Sequence, residues 1–335
     1  YDKREEHRYD DVCYGTFGTP TTFALTDAVN ALEGGEGAVV MSSGLAGCTM
    51  AILPFVSAGD HLLVPDSVYG PTRRFCDLVL KRFGVETTYY EPSLGAEIET
   101  LIKANTRLVF TEAPGSLTFE MQDIPAITEV AHRHACVVLM DNTWATPLYF
   151  KALAHGVDVS IQAATKYISG HSDLVMGIAT ARTRDIYLRL KDTAVLMGEI
   201  TSPDDCYLAL PGLRSLSIAR WLEARPEVER VLYPPLESDP GHALWKRDFT
   251  GAGALFGVLL PKLSDAALGA MIDNYRYFSI GASWGGYESL VLTSHPGRTV
   301  SRWDDSAHTL LRFSIGLEDP QDLIADLEEG FERLN

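Results

Sequence analysis

The sequence predicts an α/β protein: a large domain on a mostly parallel, seven-stranded sheet flanked by helices, then a smaller C-terminal α+β domain. Three observations predict it. Short apolar runs alternate with helix-like periodicity from residue 38 to residue 180. From about residue 204 the alternation gives way to a pattern richer in Pro and Gly. The 335 residues exceed one minimal core and suit two packed domains. The expected division is an N-terminal arm over 1–22, a large domain over 23–203 and a small domain over 204–335.

The arm is polar and then rich in turn formers, through Tyr14-Gly15-Thr16-Phe17-Gly18-Thr19-Pro20. A helix is expected over 23–32, stopped by Gly34-Gly35. A strand at 38–41 leads through Ser42-Ser43-Gly44-Leu45 into an apolar helix ending near Pro54. After a strand at 61–64, Phe75, Leu78, Val79 and Phe83 recur at helical spacing until Gly84. Strands at 85–90, 108–111, 136–140, 159–162 and 175–180, with helices at 97–103 and 124–133, complete the large domain. Such alternation implies right-handed crossovers and a ligand site outside the carboxyl ends of the strands. In the small domain, strands are expected at 255–260, 289–293 and 310–315, with helices at 264–274 and 319–334. No internal repeat or low-complexity segment is visible.

Composition excludes several classes. With 46% hydrophobic and 22% charged residues the chain reads as soluble and globular. A net charge of −17 leaves no basic footprint for nucleic acid, so an anionic substrate needs a local positive centre. The five cysteines are scattered and contain no C-x-x-C pair, which predicts reduced thiols in a cytoplasmic protein. The uncharged stretch 38–59 carries Ser, Gly, Thr and Pro, so it reads as buried structure and not as a membrane span. No signal peptide is visible, and Tyr1 in place of methionine predicts that residues precede the chain.

The chemistry concentrates in one stretch. Asp141, in Met140-Asp141-Asn142-Thr143-Trp144, ends an apolar run. Lys166, 25 positions later, sits in the small polar segment Ala164-Thr165-Lys166-Tyr167-Ile168-Ser169-Gly170-His171-Ser172-Asp173. The pair reads as the two ends of a bound pyridoxal 5'-phosphate (PLP). The lysine holds the aldehyde carbon as a Schiff base, and the aspartate keeps the ring nitrogen protonated. Taken singly, Lys166 also reads as a surface lysine and Asp141 as a helix cap. Ser42-Ser43-Gly44-Leu45 would offer backbone N–H groups and the positive end of a helix to a phosphate. Tyr69 suits stacking on a pyridine ring, or an ordinary turn. Arg312, inside the apolar run Leu310-Leu311-Arg312-Phe313, suits a substrate carboxylate or a structural salt bridge. Gly281-Ala282-Ser283-Trp284-Gly285-Gly286-Tyr287 reads as a pocket wall or a glycine-rich loop. His132 and His134 have no further ligand at a metal-site spacing, and no G-x-G-x-x-G follows the first strand.

These strings, with Leu32-Glu33-Gly34-Gly35, Ala113-Pro114-Gly115-Ser116, Gln162-Ala163-Ala164-Thr165-Lys166 and residues 312–319, run through nearly the whole chain. Together they resemble the Cys/Met-metabolism (transsulfuration) family of fold-type I PLP enzymes, with the nearest likeness to its cystathionine β-lyases. The resemblance implies a transferase-like fold and carbon–sulfur β-elimination. It implies that Lys166 is the Schiff-base lysine and the α-proton base, and that Asp141 pairs with the ring nitrogen. Tyr69 would stack on the ring, and Gly44, Leu45 and Thr165 would contact the phosphate. Arg312 would hold the substrate carboxylate, with Ser283 and Trp284 beside it. Tyr14 would reach a neighbouring subunit's phosphate, so the active unit would be a homodimer within a tetramer. Other reactions on the same fold stay open, namely alanine racemisation, γ-lysis and γ-synthase chemistry, as does a catalytically idle binding role.

The chain departs from the family pattern at several positions. Thr16 stands where the arm usually carries an arginine, and Phe17 follows it. Ala163 replaces a serine. Ala282 replaces the glutamate of γ-type members, which favours β-chemistry and widens the pocket. After Gly212-Leu213-Arg214-Ser215-Leu216 the family continues through a longer helix, so residues are expected to be missing near 216–218.

Overall fold

The computed structural model describes residues 9, 12, 14–170, 172–209, 227–301, 303–304 and 306–334. The expected gap near 216–218, Cys13, His171 and most of the arm before Tyr14 lie outside the described residues.

Among the described residues, seven strands form the first sheet. They are β1 (Gly37–Met41), β2 (His61–Pro65), β3 (Glu86–Tyr90), β4 (Thr106–Glu112), β5 (Val137–Asp141), β6 (Val159–Ala163) and β7 (Gly177–Ala181). Their order is β1-β7-β6-β5-β4-β2-β3. The sheet is parallel except for β7, which runs antiparallel to both β1 and β6. Side chains of one strand enter two cores, which explains the near-continuous apolar runs. In β4, Leu108 and Phe110 join the cluster that holds Val39 and Ile161, while Val109 joins the opposite cluster with Val138 and Met140.

Local chemistry fixes the flanking helices. Helix Pro20–Glu33 starts on the Thr19 side chain, with proline in its first turn, and stops at Gly34 in the left-handed conformation (φ 76°). Helix Ile124–Arg133 is capped by Asp123, which accepts the Ala126 N–H at 3.2 Å. It buries Ile124, Ile127, Val130 and Ala131 against the sheet. Truncating Ile127 to alanine would cost about 2–5 kcal/mol.

The second sheet contains β8 (Arg230–Leu232), β9 (Leu255–Pro261), β10 (Ser279–Ile280), β11 (Leu290–Ser294) and β12 (His308–Ser314). Its order is β10-β11-β12-β9-β8. Its inner face packs Phe256, Val258, Leu311 and Phe313 into the core that also holds Val138, Met140 and Trp144. The indole N–H of Trp144 donates to the Leu255 carbonyl at 2.9 Å and ties the two sheets together.

Several elements differ from expectation. The segment after Phe75 is not one α-helix. Helix Gly70–Phe75 widens into a π-turn at Cys76–Leu80 and tightens at Lys81–Phe83. The helix expected over 97–103 is a kinked 3₁₀ segment, Pro92–Leu101, broken by Gly95 at φ 52°, ψ −124°. Helices Arg184–Leu196 and His242–Asp248 and strand β8 had no expectation attached. The stretch 38–59 is part of β1, helix Gly44–Ile52 and a 3₁₀ turn, and no described helix is long and apolar enough to cross a membrane.

Candidate active site

The carboxyl ends of β1, β2, β4, β5 and β6 open on one side of the first sheet, and each delivers a residue to one cavity of about 260 Å³. β5 ends in Asp141 and β4 in Glu112, and the two are register partners. Residues after β1 supply Ser43, Gly44 and Leu45, those after β2 supply Tyr69, and those after β6 supply Thr165 and Lys166. The second sheet adds Leu255 from β9, Arg312 from β12, and Ala282 and Trp284 from the loop before β11.

Lys166 stands on a tight turn. Its N–H donates to the Ala163 carbonyl at 2.9 Å, and its own carbonyl accepts from Gly170 at 2.7 Å. The Thr165 hydroxyl pins this turn to Met176, accepting its N–H at 2.9 Å and donating to its carbonyl at 3.2 Å. Gly285 (φ 81°) closes over the turn, where an added Cβ would lie 3.1 Å from the Lys166 main chain. The lysine Nζ donates to Ser283 Oγ at 2.8 Å and lies 5.2 Å from the centre of the Trp284 ring. Burial, aided by the Arg312 charge and opposed by Asp141, lowers its pKa to about 8. A lysine in that range has an accessible neutral amine, the form needed to attack a carbonyl or accept a proton.

Asp141 is surrounded by protein and reached through the cavity. Its Oδ1 accepts both the N–H and the hydroxyl of Thr143, at 3.0 and 2.5 Å. Among the described residues its Oδ2 has only the Cys48 thiol, at 3.7 Å. Burial raises its pKa, and the Thr143 hydrogen bonds oppose the rise. A carboxylate left short of donors on one oxygen, at a cavity floor, suits a cationic N–H.

Arg312 projects from β12. Its guanidinium donates to the Ala282 carbonyl at 2.6 Å and to the Ser283 carbonyl at 3.4 Å. It makes no ion pair among the described residues, so the structural salt bridge weighed for it is absent there. Helix Gly44–Ile52 starts on the Ser43 side chain, and Gly44 lies so close to β6 that an added Cβ would be 2.5 Å from the Ala163 Cβ. One expectation needs correction. Ser42 does not face the cavity, because its N–H and hydroxyl both donate to the Glu199 carboxylate, at 3.1 and 2.7 Å. That leaves Ser43, Gly44 and Leu45, which do line the cavity. Tyr69, 41% exposed, lines it, whereas Tyr14, 65% exposed, stands outside it against Phe17.

Reading the sequence missed Glu112, Cys48 and Thr143. Glu112 carried the same signal as Asp141, an acid ending an apolar strand. Cys48 and Thr143 carried none until the fold brought them to Asp141. Among the described residues no three His, Cys, Asp or Glu side chains gather as a metal site.

An aldehyde cofactor with a cationic ring nitrogen and a phosphate fits these groups: Asp141 Oδ2 suits the ring N–H, the Lys166 amine the aldehyde, and the N-terminus of helix Gly44–Ile52 the phosphate. The protein is a PLP-dependent enzyme acting on amino acids. It belongs to the Cys/Met metabolism PLP-dependent enzyme family, whose model matches residues 1–332. A putative cystathionine beta-lyase of Rhizobium johnstonii is 53% identical over 97% of this chain and 86% of its own length. The cystathionine beta-lyase of Salmonella typhimurium is 43% identical over 97% and 87%. The solved cystathionine gamma synthase of Xanthomonas oryzae, in complex with aminoacrylate and cysteine, superposes with a TM-score of 0.87 at 31% identity, over 96% of this chain and 87% of its own. Relatives named cystathionine gamma-lyase (mouse, 35% identical over 95% of this chain and 84% of its own length) and L-alanine/L-glutamate racemase (Wolbachia pipientis, 42%, over 97% and 83%) show that the family is mixed in reaction.

Proposed function

We propose that the protein is a carbon–sulfur β-lyase. It cleaves L-cystathionine or a related cysteine thioether to a thiol such as homocysteine, with pyruvate and ammonia. The observation that carries the β assignment is the cavity wall beside Arg312. At Ala282 it offers a methyl group, which gives neither charge nor proton transfer to a second reaction centre. A γ-elimination needs a further proton removed at Cβ, whereas β-elimination needs only the α-proton.

In this reading Lys166 holds the cofactor covalently, Asp141 faces its ring nitrogen, Tyr69 covers the ring, and Gly44, Leu45 and Thr165 surround its phosphate. When bound, PLP supplies an electron sink for the charge left at the substrate's Cα. Arg312 holds the substrate carboxylate, and its tether to the Ala282 and Ser283 carbonyls sets the direction of approach. Ser283 and Trp284 keep the Lys166 amine beside Cα. Displaced from the cofactor by the substrate amine, the neutral Lys166 amine would take the α-proton, the Cβ–S bond would break, and the sulfur would leave as a thiolate that takes up a proton afterwards. The released enamine hydrolyses to pyruvate and ammonia. Asp141 would keep the ring nitrogen protonated and so strengthen that electron sink.

The proposal includes a homodimeric active unit within a tetramer. The exposed position of Tyr14, outside its own chain's cavity, supports a reach into a neighbour's site. The arm over 1–22, the large domain over 23–203 and the small domain over 204–335 remain the proposed division. A cytoplasmic setting is part of the same reading, supported by the four described cysteines, all buried free thiols.

A second reading, racemisation at Cα, is favoured by Tyr69 and Lys166 both lining the cavity, since racemisation needs a proton donor and an acceptor there. Incubation with L-cystathionine and with L-alanine separates the readings. Pyruvate formation supports the β-lyase. Release of 2-oxobutyrate with little pyruvate would replace it with γ-chemistry, and D-alanine formation without pyruvate would replace it with the racemase.

A further inference from the structure

One cavity carboxylate has no part in the chemistry above. Glu112, 8% exposed, ends β4 beside Asp141. Its Oε2 accepts the backbone N–H of Tyr69 at 2.8 Å. Its main-chain carbonyl accepts Gln122 Nε2 at 2.7 Å, and Gln122 Oε1 accepts the Tyr90 hydroxyl at 2.8 Å, so the strand end that carries Glu112 is itself held. Tyr69 is different. Its phenol makes no hydrogen bond among the described residues, and the residue is 41% exposed. The direction of the ring is therefore set by its main chain, at the N-cap of helix Gly70–Phe75.

We propose that Glu112 is a positioning residue, whose carboxylate grips the Tyr69 amide and thereby sets how the phenol ring lies over the cavity. A glutamate at this place is unfavourable in itself. Burial and the neighbouring Asp141 charge both disfavour its ionised form. The Tyr69 amide is the larger of the two backbone contacts that offset that cost, the Ser116 amide the other. The next loop keeps the same spacing, because the Ser116 N–H donates to the Ser67 carbonyl at 2.8 Å, two residues before Tyr69. The inference rests on the reading that Tyr69 covers the cofactor ring.

The test uses the PLP-loaded enzyme and the variants Glu112→Gln, Glu112→Asp and Tyr69→Ala. Glutamine keeps an acceptor at the same reach. Aspartate keeps the carboxyl group but withdraws it by about 1.5 Å, one methylene. The readouts are circular dichroism of the bound cofactor's visible band, the dissociation constant for PLP, kcat and KM with L-cystathionine, and the thermal midpoint. The expected result is that Glu112→Asp changes the visible band in the sense that Tyr69→Ala does and weakens PLP binding roughly tenfold, while Glu112→Gln stays near the parent. The double variant Glu112→Asp/Tyr69→Ala should lose nothing beyond Tyr69→Ala in band or affinity. Additive losses in the double variant would overturn the inference, as would an Asp variant whose thermal midpoint falls while its band is unchanged. An unchanged band and PLP affinity in Tyr69→Ala itself would instead overturn the reading on which the inference rests.

Discussion

Asp66 and Asp141 both follow apolar strands of the same sheet, on the same side, and their surroundings are opposite. Asp66, fully buried, accepts Arg73 Nη2 at 2.7 Å, Arg298 Nε at 3.2 Å and the N–H groups of Thr299, Val300 and Ser301. Burial alone would raise its pKa, but the Arg73 bond and the backbone N–H groups outweigh burial and hold it at about 2. Arg298 also donates to Glu120, so the clasp fastens the loop after β11 both to the loop after β2, which carries Tyr69, and to the loop after β4. Asp141 has one oxygen satisfied and one nearly bare, and burial raises its pKa. The difference separates two uses of a buried acid. A carboxylate that holds structure is saturated by the chain itself. A carboxylate that serves a ligand is left short of donors until the ligand arrives.

Four experiments test this contrast, in order of expected effect. Lys166→Ala should lower kcat by about 10²–10⁴-fold or more and abolish covalent retention of the cofactor, read by absorbance after gel filtration. Asp141→Asn should lower kcat by about 10²-fold while the Lys166 link to the cofactor persists, with a thermal midpoint close to the parent's. A large loss of stability in Asp141→Asn would erase the distinction from Asp66. Asp66→Asn should do the reverse in urea unfolding, costing about 3 kcal/mol or more. The Asp66 contribution has a definite pH window. Its folded pKa lies below the unfolded value of 3.8, so the stabilisation is complete above that value and fades as pH falls towards about 2.

The smallest effect concerns a third buried acid. Glu33, at the end of helix Pro20–Glu33, accepts from Ser160 and from Gln162 at 2.5 and 3.3 Å, and its other oxygen has no hydrogen-bond partner among the described residues. Burial, opposed by these bonds, raises its pKa from 4.5 to about 7. The folded state therefore keeps a proton that the unfolded state releases, and stability is lost as pH rises from 4.5 to about 7. Glu33→Gln should remove that slope, with a difference of about 3 kcal/mol at most between the two ends of the window. Parallel stability curves for the parent and Glu33→Gln across this range would show that Glu33 carries no proton in the folded state.

Much of this was legible from residue order. The apolar runs of β2, β4, β5 and β6 announced themselves, and the acid and lysine that follow them fell on one side because parallel crossovers bring strand ends together. Asp141, Lys166, Tyr69, Gly44, Leu45, Thr165, Arg312 and Trp284 line one cavity, and Ser283 touches Lys166. What stayed hidden depends on partners far away in the chain. Helix Arg184–Leu196 buries only Tyr187, Leu190, Lys191 and Ala194, too mixed a face to stand out. Ser42 looked like a free donor because Glu199, which occupies it, lies 157 residues on. Gly95 broke a helical pattern through a backbone angle that composition does not reveal.

The anchoring of Arg312 bears on how this pocket can change. The guanidinium is steered by the main-chain carbonyls of residues 282 and 283, and every amino acid supplies those. With Ser283 tied to the Lys166 amine, it is the side chain at position 282 that can be exchanged to reshape the wall without turning the guanidinium. New substrate preferences are thus open to one-step variation here, whereas at Gly285 or Gly44 any added carbon would push on the lysine turn itself.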